Sequence, residues 1–124
     1  MHDQPSVSEL VQAVKNFIDD TAAPNLKGHA AFHARVASNA LATVLRDLDA
    51  RPHHEAEEED RLRALLDAHA DADLETLNRM LSEKIQSGEF NLLTPGLFAH
   101  LKATTIAQVE IDQPRYSGLK TAKP

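Results

Sequence analysis

Apolar residues recur along this chain at spacings of three and four, the period of helices buried along one side. Val7, Leu10, Val11, Val14, Phe17 and Ile18 follow Ser6-Val7-Ser8-Glu9, a capping-box signature, so a first helix is expected from Ser6 to near Thr21. Pro24 and Gly28 bracket a short connection. From His29 to Leu48 the sequence is Ala-rich and free of internal Gly and Pro, which predicts a long second helix. Its apolar surface is broad. Ala34, Ala37, Leu41, Val44, Leu45 and Leu48 form one face and Phe32, Val36 and Ala40 another, so neighbours are expected on more than one side.

Pro52 is expected to stop that helix, and His53-His54-Glu55-Ala56-Glu57-Glu58-Glu59-Asp60 to open a third, with carboxylates where the helix dipole favours them. Leu62, Leu65 and Leu66 supply its inward side. His69 to Asp73 reads as a polar connection, Asp73 as the cap of a fourth helix through Leu74, Leu77, Leu81 and Ile85, and Gly88 as its left-handed end. Thr94 and Pro95 are in cap-then-proline order for a fifth helix, which runs to about Asp112 because Pro114 disfavours helical geometry at Gln113. The fold class expected is all-α, a single-domain bundle of about five helices over residues 1–119, with a flexible C-terminal tail over 120–124.

At 124 residues the chain is long enough to bury a sizeable core without metal or disulfide. It has no cysteine, which removes disulfides, thiolate nucleophiles, iron–sulfur ligation and cysteine zinc sites, and fits a reducing cytoplasmic location. A net charge of -6, no Trp, four Phe and one Tyr argue against nucleic-acid binding, since neither a basic surface nor stacking aromatics are available. Met1 to Ser8 has no basic region leading into an apolar run, so neither secretion nor membrane insertion is expected.

Two stretches, Ala30 to Leu45 and Leu92 to Val109, are almost free of charge, and each holds a cation two positions after a histidine: His33/Arg35 and His100/Lys102. A lone cation on an apolar helix must reach solvent, meet an acceptor, or face a ligand. Arg35 and Asn39 sit one turn apart, and His33 shares a face with Ala37, Ala40 and Val44, which predicts partial burial. Leu101, Thr105, Gln108 and Asp112 make a stripe that is polar where aliphatic side chains are expected. Two arrangements are open. One is an internal network in which Asp112 accepts from Arg35 or Arg115. The other is an anion pocket between the second and fifth helices, with Arg35, Lys102 and Arg115 receiving a carboxylate or phosphate, His33, Asn39, His100, Thr105, Gln108 and Asp112 around it, and Tyr116 at the rim.

Other motifs carry less. His29 and His33 lie at i, i+4 but lack a third ligand, and His53 and His54 open a solvated helix. Asp67, Asp71 and Asp73 fail as a calcium loop because Ala72 stands where glycine is needed and Asn78 where a bidentate Glu is needed. There is no glycine-rich phosphate loop and no Gly-x-Ser-x-Gly elbow. No catalytic residue, metal or cofactor is therefore assigned, and a non-catalytic protein is expected before an enzyme.

The segments Phe32-His33-Ala34-Arg35-Val36-Ala37-Ser38-Asn39-Ala40-Leu41, His100-Leu101-Lys102-Ala103-Thr104-Thr105 and Ile111-Asp112-Gln113-Pro114-Arg115-Tyr116 resemble an uncharacterised family of small bacterial helical proteins. The resemblance runs from Pro5 to Leu119 and is weakest over the acidic, histidine-rich stretch from Arg51 to Asp73. Proteins of that kind are encoded beside acyl-CoA dehydrogenases and aminoglycoside-phosphotransferase-like kinases. The resemblance thus implies an accessory, protein-binding role in acyl-group metabolism, with one of those enzymes as partner, and no catalytic residue. The alternative from a different class is a small-molecule binding module for an acyl-CoA-like, carboxylate or phosphate ligand. A homodimer through the Ala-rich face is a third arrangement compatible with the pattern.

Overall fold

Residues 4–68 and 71–124 are described by the computed structural model, and among them every regular element is helical. Helix α1, Val7–Phe17, starts on the expected capping box: Ser6 Oγ accepts from the Glu9 amide at 3.1 Å and the Ser6 amide donates to Glu9 Oε1 at 2.9 Å. That reciprocal pair satisfies two of the amides a helix start leaves open, and it holds the Glu9 carboxyl below its ordinary pKa. Winding does not stop near Thr21. It loosens into a π turn over Ile18–Ala22 and tightens into a 3-10 turn over Ala23–Asn25, where Pro24 sits at a position whose missing N–H is no loss.

Helix α2, Gly28–Leu66, corrects the expectation that Pro52 separates two helices. Pro52 removes one i to i−4 bond, the one to the Leu48 carbonyl, and both residues are exposed enough for water to take that acceptor. Ala-, Leu-, Glu- and Arg-rich turns on either side propagate readily, so an interior proline lowers the stability of the helix without ending it. Helix α3, Leu74–Gln86, is capped by Asp73, which accepts from the Thr76 amide at 2.8 Å, and Gly88 follows it at φ 84°. Part of the expected polar connection before it, His69 and Ala70, lies outside the described residues.

Helix α4, Leu97–Asp112, begins at Gly96, φ 86°, and not at Thr94-Pro95. Thr94 instead closes the preceding turn, its Oγ1 accepting from the Asn91 amide at 2.9 Å. The end at Asp112 is the one Pro114 predicts. Helix α5, Gly118–Ala122, occupies part of the segment expected as a tail. Five α-helices thus result, although the set differs: two expected helices are one, and a short one is added.

The chain divides into two units, residues 1–51 and 52–124. In the second, Leu62, Leu66, Leu77, Leu81 and Leu97 form a buried cluster against which Leu65, Leu74, Met80 and Phe90 pack. Ile111 and Leu119 are buried as well. In the first, no residue of α1 is buried, and Ser38 is the one buried side chain among the described residues, its hydroxyl bonded to Asp19. All buried hydrophobics so far named belong to residues 52–124.

Candidate functional site

Within the second unit, Arg61 projects from α2 between Glu57 and Leu65 on its own helix face, where a bridge to Glu57 one turn earlier is the local option. It is not taken. Arg61 Nε donates to His100 Nδ1 at 3.2 Å and its terminal nitrogen to Thr104 Oγ1 at 3.1 Å, both on α4. Glu57 instead lies 3.1 Å from His53, and Glu58 accepts from Asn78 at 3.2 Å. Among the described residues no carboxylate lies within ion-pair distance of Arg61, so a half-buried guanidinium is held by two neutral acceptors. His100 is 4% exposed. Its burial, and next the neighbouring Arg61 charge, push its pKa below the ordinary histidine value against a smaller opposing pull from Glu58. Nδ1 must accept, so the ring is neutral and carries its proton on Nε2.

Arg61 also lines a cavity of about 350 Å³ whose apolar surface comes from Ala99, Ala103, Ile106, Ala107, Ala122 and the terminal residue Pro124. Small residues on α4 leave this space because no long side chain fills it. Its polar groups are His54, Glu57, Arg61, Lys102 and Glu110. Glu110 is paired with Lys123 at 3.1 Å. Lys102 is exposed and has no ion-pair partner among the described residues. His54 Nδ1 is closed off from solvent without a hydrogen-bond partner, an unmet polar atom at the wall of the same space. Among the described residues no three His, Cys, Asp or Glu side chains gather to hold a metal.

Of the residues singled out in the sequence, His100 and Lys102 belong to this region. Thr105, Gln108 and Asp112 do not line the cavity: Thr105 Oγ1 donates back to the Leu101 carbonyl at 2.8 Å and Gln108 Nε2 donates to Asp112 Oδ2 at 3.0 Å. That stripe is polar because it is a solvated helix face. Arg115 and Tyr116 are exposed. Tyr116 lies over Gly118 so closely that a Cβ there would come within 2.5 Å of the ring. His33, Arg35 and Asn39 stand in the first unit, all exposed, which corrects the partial burial expected of His33. The His33 ring meets the edge of Phe32 at 5.6 Å.

Arg61, Thr104, His54, Glu57 and Glu110 were not legible as a group. Arg61 follows an acidic run that reads as solvated, and the one available signal was the i, i+4 relation of His100 and Thr104 on α4.

The second candidate surface is apolar and lies in the first unit. Val7, Leu10, Val14 and Phe17 on α1, Leu26 after it, and Phe32, Val36, Val44 and Leu48 on α2 are each 37 to 59% exposed. Such a concentration of large exposed hydrophobics marks an interaction surface more often than a solvated one. No described helix is long and apolar enough to cross a membrane.

Compared with known proteins, residues 24–116 match the model of a family described as a domain of unknown function (DUF6285). No curated protein and no solved structure matches.

Proposed function

The chain belongs to this DUF6285 family, which brings no assigned activity, and from the chain's own geometry we propose that it is a non-catalytic helical interaction protein. It docks through the apolar side of residues 1–51. One observation carries this reading: among the described residues the buried hydrophobics all fall in residues 52–124, while nine large apolar side chains of the first unit stay open. A stretch of about fifty residues rarely holds together without a well-buried core, a metal or a partner. The nine exposed side chains, at roughly 80 to 100 Å² apiece, amount to about 800 Å², one partner's share of a standard interface.

The occupant is a second copy of the chain. In a two-fold interface both copies present the same patch, residue i meeting residue j and j meeting i, so a patch that is apolar throughout is complementary to itself. The exposed positions of α1 that repeat at helical spacing are Val, Leu, Val and Phe. Two copies of α1 and the first half of α2, packed face to face, would meet by the knobs-into-holes packing of a four-helix bundle.

Light scattering across a concentration series tests it. A dimer at micromolar concentration that Phe17→Glu converts to monomer supports the reading, and a monomer at every concentration refutes self-association. Co-purification with an acyl-CoA dehydrogenase or an aminoglycoside-phosphotransferase-like kinase, the neighbours implied by the family resemblance, is the alternative outcome. It would place the protein as an accessory factor in acyl-group metabolism.

A further inference from the structure

We propose that the cavity between α2 and α4 in the second unit is a binding site for a small aliphatic monocarboxylate. It stands on residues separate from the interaction surface, so either reading can fail alone.

Arg61 and Lys102 are the two cations on the cavity wall, and neither has a carboxylate within ion-pair distance among the described residues. Such groups are seldom left this way. A guanidinium partly withdrawn from solvent is commonly matched by an anion, because neutral acceptors return only part of what its desolvation costs. Here a carboxylate stands one turn away, at Glu57, and Arg61 turns instead toward His100 and Thr104. The effect is to fix the guanidinium plane by two bonds to α4 while its charge stays unmatched.

Charge and shape together narrow the ligand. Arg61 and Lys102 share the wall with Glu57, with Glu110, which pairs with Lys123, and with the terminal residue Pro124, so the single charge of a carboxylate meets less repulsion there than a phosphate dianion does. Away from the charges, Ala99, Ala103, Ile106, Ala107 and Ala122 offer a surface that an alkyl chain covers and a sugar or nucleotide does not. A volume of about 350 Å³ sits at the small end of ligand sites and suits a chain of a few carbons with its head group. The head lies between Lys102 and Arg61, and the tail along the alanines of α4.

Hexanoate is the probe. Calorimetric titration of the whole chain with hexanoate should show saturable binding, with hexylamine and hexanol, of the same tail, giving none. Lys102→Met should weaken hexanoate binding about tenfold, the loss of one charge-assisted contact, and Lys102→Arg should restore it. Because Lys102 is exposed, neither substitution threatens folding. Ala103→Leu, which fills the floor of the cavity, should abolish binding while the far-ultraviolet circular dichroism is retained. Absence of hexanoate binding at millimolar concentration would overturn the assignment. So would binding that Lys102→Met leaves unchanged, equal binding of hexylamine, or displacement of hexanoate by inorganic phosphate.

Discussion

Pro52 lies deep inside α2, which spans Gly28–Leu66, and its replacement by alanine gives a sharp test of that continuity. A proline in a helix interior is about 3 kcal/mol less favourable than alanine, from the lost N–H and the clash of the ring with the carbonyl four residues back. Here that carbonyl belongs to Leu48, and both Leu48 and Pro52 are exposed, so water already satisfies part of what the missing bond leaves open. The expected gain from Pro52→Ala is therefore about 2 to 3 kcal/mol. With a urea dependence of about 1 to 3 kcal/mol per molar, the midpoint of helix loss should rise by about 1 M or more. Circular dichroism at 222 nm through a urea titration reads both this shift and any gain in native helicity. An unchanged or lowered midpoint would mean that the chain does not form helix across residue 52, and the reading of α2 as one helix would fall.

Leu62 is fully buried in the cluster with Leu77, so Leu62→Ala should destabilise the second unit by about 2 to 5 kcal/mol, measured by urea unfolding; a loss under about 1 kcal/mol would refute its place in that core. The pH dependence of stability should carry a signature of His100. Its native pKa lies below 6.5, so as pH falls through that value the unfolded chain takes up the proton first. Stability is then full above about pH 6.5, declines toward the depressed native pKa, and levels off beneath it. His100→Gln, which keeps an acceptor for Arg61, should flatten this slope between pH 7.5 and 5 relative to the parent, and parallel curves would refute the buried neutral imidazole.

How far the sequence reached differs from element to element. Helix starts were legible where a side chain does the capping, as at Ser6 and Asp73, because the bond is local and its residue types are few. The inward leucines of the second unit, Leu62, Leu66, Leu77 and Leu81, were legible from their period alone. Pro52 was misread because local propensity favours a break and a long helix with strong flanking turns tolerates the loss. Thr94-Pro95 has the right order for a helix start, yet Thr94 closes the turn before Gly96, one of two arrangements its hydroxyl can make. At the site the limit was of another kind. His100 and Lys102 stood out because they lie in an uncharged stretch, whereas Arg61 was hidden among the carboxylates before it. Its role depends on a contact thirty-nine residues away in the chain, which no periodicity reveals.

The absence of buried hydrophobic residues among the described residues of the first unit also bears on the lifetime of the chain. Local opening is cheapest where few apolar contacts oppose it, and proteolysis follows the population of opened chain. If the apolar face docks as proposed, copies that find their partner close it and are spared, and a surplus without one is cut at α1 and the turns that follow it. Docking of the proposed kind would then let the amount of protein in a cell follow the amount of its complex, with degradation keeping the count and no regulator of synthesis required.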